Sequence, residues 1–260
     1  MFAKSLMPPS VATYVGEVVR RLHDTLDGQL HAAYVIGSLA GRDYVAGQSD
    51  IDMLVVSQTP LAEETKLSVV NALSHPNLPC PARGLEFVLY GRAAAAAPNQ
   101  YPHFEINLNT GPGMEHRFSF DPESEPSHWF VLDIAIARQR AIELVGPPVT
   151  NVFAPVSRGL ILDSLLESLD WHAEHESLTH YSVLNACRSW RFAEEGVWDT
   201  KGGAAAWARP RVDDPSLIDA AIAIRNGADR PPLYRGEIRS LVQQVRARIL
   251  ALSRTPSIAG

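Results

Sequence analysis

The sequence lacks the features that several broad classes of protein require. Its only cysteines, Cys80 and Cys187, lie far apart and outside any CxxC pattern, so neither a disulfide framework nor a zinc site is indicated. No apolar run approaches the roughly 18 residues of a membrane-spanning helix. We therefore expect a cytoplasmic protein with two plain thiols and no membrane partner.

Basic residues are also few for a protein that binds polyanions. The chain has 23 Lys and Arg against 29 Asp and Glu, a formal net charge of −6, and no basic run longer than a pair. A nucleic acid would meet no basic stripe, so we expect no nucleic-acid partner and favour a cationic small molecule. The 260 residues, 46% of them hydrophobic and 20% charged, suit a folded, two-domain chain, which we expect to be a monomer.

Strand and helix patterns alternate in the first part of the chain. Apolar residues at helical spacing predict a first helix within Val11–Leu30, with Ser10 as its N-cap. Short apolar runs bounded by turn residues predict strands at His31–Ile36, Ile51–Val56 and Leu85–Tyr90, and a weaker one at His103–Leu108. Further helical periodicity covers Leu61–Leu73 and Trp129–Leu144.

A cluster of glycine and prolines ends this alternating region. Val145-Gly-Pro-Pro-Val149 and Phe153-Ala-Pro155 cannot continue a helix, so we place a domain boundary near residue 155. Only helical patterns follow it, at Leu160–Leu169, Tyr181–Glu195, Lys201–Ala208, Leu217–Arg225 and Glu237–Leu252. We therefore expect an α/β domain with a mixed sheet over residues 1–155 and an all-α helical bundle over residues 156–260.

One segment combines a Gly-Ser pair with two closely spaced aspartates, which are residue types that bind phosphate and metal ions. Val35-Ile-Gly37-Ser38 is followed, after eleven residues, by Asp50-Ile-Asp52 at the start of a strand. Alternation along a strand puts the Asp50 and Asp52 carboxylates on one face, where their repulsion favours a cation between them, and Mg²⁺ prefers one or two carboxylates plus phosphate oxygens. Gly37 allows close approach of a phosphate, and Ser38 supplies a hydroxyl and an N–H. A solvated turn is the usual reading of a lone Asp-x-Asp, but the joint pattern favours a triphosphate site.

This pattern resembles the signature of the nucleotidyltransferase superfamily, which includes DNA polymerase beta and the aminoglycoside nucleotidyltransferases. That signature is a hydrophobic residue with Gly-(Gly/Ser), a spacer, and Asp-hydrophobic-(Asp/Glu), and this sequence fills every position. The resemblance implies Mg²⁺ bound by Asp50 and Asp52. It also implies a third carboxylate from a later strand, which Glu86 supplies as the catalytic base.

The rest of the chain resembles the streptomycin/spectinomycin adenylyltransferases within that superfamily. The similarity lies in Ile134–Arg138 with Leu144–Pro147, in Leu184–Trp190, and in Lys201–Ala208. It implies that ATP binds between the two domains, with Ser38 at the phosphates and Arg188 and Lys201 reaching the triphosphate. From the residues alone, Arg188 beside Trp190 is equally compatible with a structural ion pair.

The same resemblance places the acceptor on the helical domain. Trp171, Glu174 and Glu176 lie where that family carries a Trp and an Asp that contact streptomycin, and an indole face with nearby carboxylates suits a cationic sugar. Packing of Trp171 at a helix end is the alternative. Asn109 stands where the family carries a further substrate-contacting Trp.

The expected activity is Mg²⁺-dependent transfer of AMP from ATP to a hydroxyl of an aminoglycoside-type antibiotic, with release of pyrophosphate. Two alternatives remain open at this point. One is the same transfer to a different small-molecule or protein hydroxyl. The other is a non-catalytic, antitoxin-type nucleotidyltransferase module that acts by binding a partner.

Overall fold

A computed structural model describes residues 7–175, 178–228 and 233–253, without the side chain of His175. Glu176, one of the predicted acceptor residues, lies outside the described residues. The chain divides into two compact units, Met1–Val156 and Ser157–Gly260, and the predicted boundary at residue 155 falls one residue before this division. None of the described helices is long and apolar enough to cross a membrane.

The N-terminal unit is built on a mixed sheet, as predicted. Its six strands have the order β5-β4-β3-β2-β1-β6, and only the neighbours β2 and β3 are parallel. The strands are β1 (Leu30–Val35), β2 (Ile51–Ser57), β3 (Leu85–Gly91), β4 (Phe104–Gly111), β5 (Met114–Ser119) and β6 (Ile142–Val145). The helices are α1 (Pro9–Leu26), α2 (Gly37–Ala40), α3 (Glu63–Leu73), α4 (Arg92–Ala96), α5 (Ser127–Gln139) and α6 (Val149–Val152).

Hydrophobic residues cover both faces of the sheet. Ile51, Met53 and Val55 of β2 point into a core with α1 and α3, whereas Leu54 and Val56 point into a second core with α5 and α6. This alternation fixes the register, because a shift by one residue would exchange the two faces. Asp52 is on the same face as Leu54, at the end of β2 that follows the turn after β1.

Three local expectations were wrong or incomplete. The helix predicted to run to Leu144 ends at Gln139, and Ile142–Val145 forms β6 against β1, since Ile142 is buried on the sheet edge. Ser10 lies inside α1, where Pro8 is the N-cap residue. Strand β5 was not predicted, because most of its side chains are exposed and give no hydrophobic alternation.

The described residues of the C-terminal unit are helical, as predicted. The helices are α7 (Arg158–His175), α8 (His180–Glu195), α9 (Lys201–Ala208), α10 (Ser216–Arg225) and α11 (Arg235–Ser253). Helix α8 begins with a capping box between Thr179 and Ser182 and ends at Gly196, whose φ is +68°. It packs against α9, α10 and α11 and is the centre of the bundle.

Candidate active site

The turn after β1 brings a glycine against a carboxylate. The backbone N–H of Ile36 donates to the Asp52 carbonyl oxygen at 3.0 Å, and Gly37 follows with φ +63°. A Cβ atom on Gly37 would stand 2.6 Å from Asp52 Cγ, closer than real Cβ contacts allow. Glycine is therefore required here both by the backbone angle and by the Asp52 side chain.

Ser38, the next residue, has a buried hydroxyl that lacks a protein partner. Its Oγ makes no hydrogen bond within the part of the chain that the structure describes. A buried hydroxyl normally finds a partner, so this one is available to a bound ligand oxygen. The glycine cradle and the unsatisfied Ser38 hydroxyl fit a phosphate group beside Asp52.

Sheet register brings Asp52 and Glu86 together. Asp52 of β2 pairs with Glu86 of β3, and Glu86 pairs in turn with Asn109 of β4. Residues directly opposite in neighbouring strands share a face, so these three half-buried side chains form a row at one end of the sheet. The carboxylate predicted from a later strand is thus placed beside the motif.

Asp50 lies one residue before β2, and its carboxylate faces an arginine. Arg83 Nη2 donates to Asp50 Oδ2 at 3.1 Å, and the Asp50 side chain is 24% exposed. Sequence reasoning missed Arg83, because no local pattern links it to Asp50, 33 residues away. Among the described residues, no group of three or more His, Cys, Asp or Glu side chains is arranged to hold a metal ion. The assignment of Asp50 and Asp52 to Mg²⁺ stays a prediction.

The two predicted triphosphate cations lie on neighbouring helices of the C-terminal unit. Lys201 is the first residue of α9, and its Nζ stands 4.8 Å from the centre of the Tyr181 ring on α8. Arg188 follows Tyr181 by seven residues, two helical turns, and so lies on the same face of α8. Arg188 Nη2 is 3.5 Å from Asn185 Oδ1.

The pKa of His180, the first residue of α8, responds to the positive charges near it. The pKa of His180 is lowered, first by burial and then by the charges of Lys201 and Arg225. Gly203, two residues after Lys201, has a structural explanation as well, because a Cβ there would stand 2.6 Å from Asp199 Cγ. Lys201 and Arg225 thus both bring positive charge towards His180 at the start of α8.

Trp171 and Glu174 lie close together on α7. They are three residues apart and therefore neighbours on the helix surface, with Trp171 half-buried and Glu174 exposed. Glu167, one turn earlier on the same face, was missed by sequence reasoning. Its pKa is raised by desolvation and by the charge of Asp163. An indole on an acidic helix face is suited to binding a cation. Glu176, the third predicted acceptor residue, lies outside the described residues.

The Gly-Ser turn and the carboxylates aligned across β2 and β3 match the arrangement predicted for a nucleotidyltransferase. Residues 151–252 match the family model "Aminoglycoside adenylyltransferase, C-terminal domain". Two aminoglycoside (3'') (9) adenylyltransferases, from Klebsiella pneumoniae and Escherichia coli, are each 26% identical over 92% of this chain and 95% of their own length.

The structure comparison agrees on the fold. The crystal structure of spectinomycin adenyltransferase AAD(9) from Enterococcus faecialis, with ATP and spectinomycin, matches with a TM-score of 0.70 at 14% identity. The match covers 92% of this chain and 98% of the other. The chain is similar to aminoglycoside adenylyltransferases over most of its length, and the predicted resemblance, fold class and enzyme class are confirmed.

Proposed function

We propose that this chain transfers AMP from ATP to a hydroxyl group of an aminoglycoside-type antibiotic, with streptomycin and spectinomycin as the first acceptors to test. The observation that carries the proposal is the alignment of Asp52 with Glu86 across parallel strands, beside the Gly37–Ser38 turn. The relatives named above support the acceptor class, and the net charge of −6 favours a cationic acceptor.

The N-terminal unit supplies the groups for phosphoryl chemistry. Gly37 and Ser38 would bind phosphate oxygens, and Asp50 and Asp52 would hold Mg²⁺. The metal, when bound, neutralises charge on the phosphates and orients them for in-line attack. Glu86, one strand away from Asp52, would accept the proton of the acceptor hydroxyl.

The bonds made and broken follow from these roles. As the Glu86 carboxylate takes the proton, the acceptor oxygen forms a bond to the α-phosphorus of ATP. The bond from the α-phosphorus to the bridging oxygen breaks, and pyrophosphate leaves with that electron pair. Arg188 and Lys201 would offset the charge of the triphosphate, because Arg and Lys both bind phosphate groups strongly.

The C-terminal unit would hold the acceptor on α7. Trp171 would offer an aromatic face to a cationic sugar, and Glu174 would offer a carboxylate to its ammonium or guanidinium groups. The resemblance gives Glu176, outside the described residues, the same role. The exposed position of Glu174 leaves its carboxylate accessible to such a ligand.

Pyrophosphate release tests the proposal directly. The purified protein is incubated with Mg-ATP and, in separate reactions, streptomycin, spectinomycin, a lincosamide and a hydroxyl-bearing protein. We expect release only with an aminoglycoside-type acceptor, together with a product heavier by one AMP group. Release with another acceptor would assign the transfer to that substrate, and binding of Mg-ATP without release from any acceptor would contradict the proposal. Failure to bind Mg-ATP at all would favour the binding-module alternative.

A further inference from the structure

We propose that Arg83 is the resident counter-ion of Asp50 in the metal-free protein, and that a divalent cation must displace it to bind. Arg83 would therefore be a positioning residue that sets metal affinity. The inference rests on the proposed function, because it takes Asp50 as a metal ligand. It is carried by the single hydrogen bond from Arg83 Nη2 to Asp50 Oδ2, at 3.1 Å.

The backbone holds the two residues at this distance. The N–H of Arg83 donates to the Ser49 carbonyl at 3.2 Å, and the N–H of Ile51 donates to the Gly84 carbonyl at 2.9 Å. These two bonds lie immediately before β2 and β3 and continue their parallel pairing. Asp50 and Arg83 are thus fixed in register by the same ladder that aligns Asp52 with Glu86.

The β4–β5 hairpin supports Arg83 from the other side. The N–H of Gly113 donates to the Arg83 carbonyl at 2.9 Å, and a Cβ on Gly113 would stand 2.9 Å from Arg83 Cγ. A Cβ on Gly111 would meet the Arg83 carbonyl oxygen at 2.7 Å. The turn therefore packs directly on the arginine without side chains between them, which restricts its stem.

The hydrogen bond between Arg83 and Asp50 is nevertheless weak enough for a cation to replace the arginine. Other arginines of this chain bind carboxylates through two hydrogen bonds, as in Arg117–Glu125 at 3.0 and 3.0 Å and Arg246–Asp170 at 2.6 and 2.9 Å. Arg83 makes one bond to Asp50, and its buried Nε has no hydrogen-bond partner among the described residues. A single bond lacks the strength and geometry of the bidentate pairs.

The ion pair between Arg83 and Asp50 offsets negative charge at the proposed metal site. Asp52 is paired with Glu86 across β2 and β3, and Asp50 lies two residues before Asp52, so negative charge at this end of the sheet raises the free energy of the metal-free state. Arg83 offsets part of that charge. The side chains of Asp50 and Arg83 are 24% and 39% exposed, so a hydrated cation can reach Asp50 without opening the core.

Titration of Mn²⁺ alone, by calorimetry, tests this idea on the full chain without ATP or acceptor. Arg83→Gln removes the competing charge and keeps a polar side chain, so we expect it to bind Mn²⁺ about three- to tenfold more tightly than the wild type. Arg83→Met, which keeps the unbranched stem against Gly113, should show the same change if the glutamine variant does not fold. Circular dichroism checks folding.

The matched control is Arg42→Gln, which makes the same charge change at an exposed residue of the loop between α2 and β2. It should alter Mn²⁺ affinity by less than about twofold if the effect depends on contact with Asp50 rather than on net charge. Unchanged or weaker Mn²⁺ binding by both Arg83 variants would overturn the inference, since Arg83 would then hold Asp50 in place for the metal.

Asp50→Asn separates this inference from the proposed function. Mn²⁺ binding that is lost in Asp50→Asn and strengthened in Arg83→Gln supports the counter-ion role, even if no acceptor is adenylylated. Mn²⁺ binding that does not depend on Asp50 overturns it, even if transfer to an aminoglycoside occurs.

Discussion

The two units position their candidate functional residues by different means. In the N-terminal unit, backbone pairing places Asp52, Glu86 and Asn109 side by side, so their relation is fixed by the sheet ladder. In the C-terminal unit, Trp171 and Lys201 are held on helices, with Lys201 against an aromatic ring. Sheet register tolerates little displacement, whereas long side chains on helices can adjust to a ligand. We expect chemistry to depend on the first unit and ligand choice on the second.

The two units also differ in how their sequences reveal their family. The short, specific motif lies in the N-terminal unit, between Gly37 and Asp52, whereas the family model matches residues 151–252. A motif of a few residues is sufficient to predict phosphate and metal chemistry. The helical unit needs its whole length to be recognised, because helical periodicity is shared by many unrelated bundles.

The largest effect is expected from the aspartates of the N-terminal unit. Asp52→Asn and Asp50→Asn should each abolish nearly all transfer, by about 10³-fold or more, because an amide lacks the charge that Mg²⁺ requires. Pyrophosphate release measures the loss, and circular dichroism checks that both variants fold. If either keeps more than about a tenth of the wild-type rate, it is not an essential metal ligand.

Glu86→Gln should separate the chemical step from Mg-ATP binding at the strand end that carries Asp52 and Glu86. The amide keeps the size of the side chain but cannot accept the proton, so turnover should fall about 10²- to 10⁴-fold. Mg-ATP should still bind within a few-fold of the wild type, because Asp50 and Asp52 remain. A collapse of Mg-ATP binding in calorimetric titration would instead make Glu86 a third metal ligand.

Part of the arrangement around Asp52 could be predicted from the sequence, and the reason is physical. Alternation along a strand is a local property, so the face of Asp52 followed from its neighbours alone. The resemblance predicted Glu86 as a carboxylate from a later strand, whereas the pairing of β2 with β3 that sets it opposite Asp52 is seen only in the structure. The ion pair of Asp50 with Arg83 depends on contacts 33 residues apart, and no local pattern encodes it.

The missed elements have the same explanation. Strand β5 is largely exposed, and β6 is only four residues long, so neither has enough buried residues to set a pattern. Their places are decided by pairing with β4 and β1. The helices of the C-terminal unit were predicted more completely, because helical periodicity repeats over several turns within one segment.

Gly37→Ala tests how closely the turn and Asp52 are coupled. The new Cβ would meet the Asp52 carboxylate and would also disfavour the φ of +63°, so we expect a loss of about 2–4 kcal/mol in the free energy of unfolding and a fall in transfer. Gly47→Ala is the matched control. Gly47 has φ +77° and nothing within 4 Å of its Cβ position, so it reports backbone strain alone, about 1–2 kcal/mol. Equal losses in the two variants, measured by urea denaturation, would argue against the contact with Asp52.

Trp171→Ala tests whether the C-terminal unit binds the acceptor. The loss of an indole contact should weaken acceptor binding by about 1–3 kcal/mol and leave Mg-ATP binding within about twofold. Calorimetric titrations with streptomycin or spectinomycin and with Mg-ATP measure both. A fall in thermal stability with unchanged acceptor affinity would mean that Trp171 serves packing on α7.

The smallest effect is expected at His180, which reports the charge of Lys201. Because burial and the cations Lys201 and Arg225 lower the pKa of His180 in the folded state, the unfolded chain binds a proton more readily. His180 should therefore cost nothing above its unfolded pKa of about 6.5, and should destabilise the protein as the pH falls below that value. His180→Gln should lose less thermal stability than the wild type between about pH 7.5 and 5.5.

Lys201→Gln should raise the pKa of His180 towards its ordinary value, which NMR titration of the imidazole can follow. Binding of Mg-ATP to the wild type should also raise this pKa if Lys201 binds the triphosphate, because bound phosphates offset its charge. The same addition to Lys201→Gln should then have a smaller effect. A His180 pKa that responds to Lys201→Gln but not to Mg-ATP would place Lys201 near His180 and away from the nucleotide. In that case the C-terminal unit would bind the triphosphate through other residues, or would contact the acceptor alone.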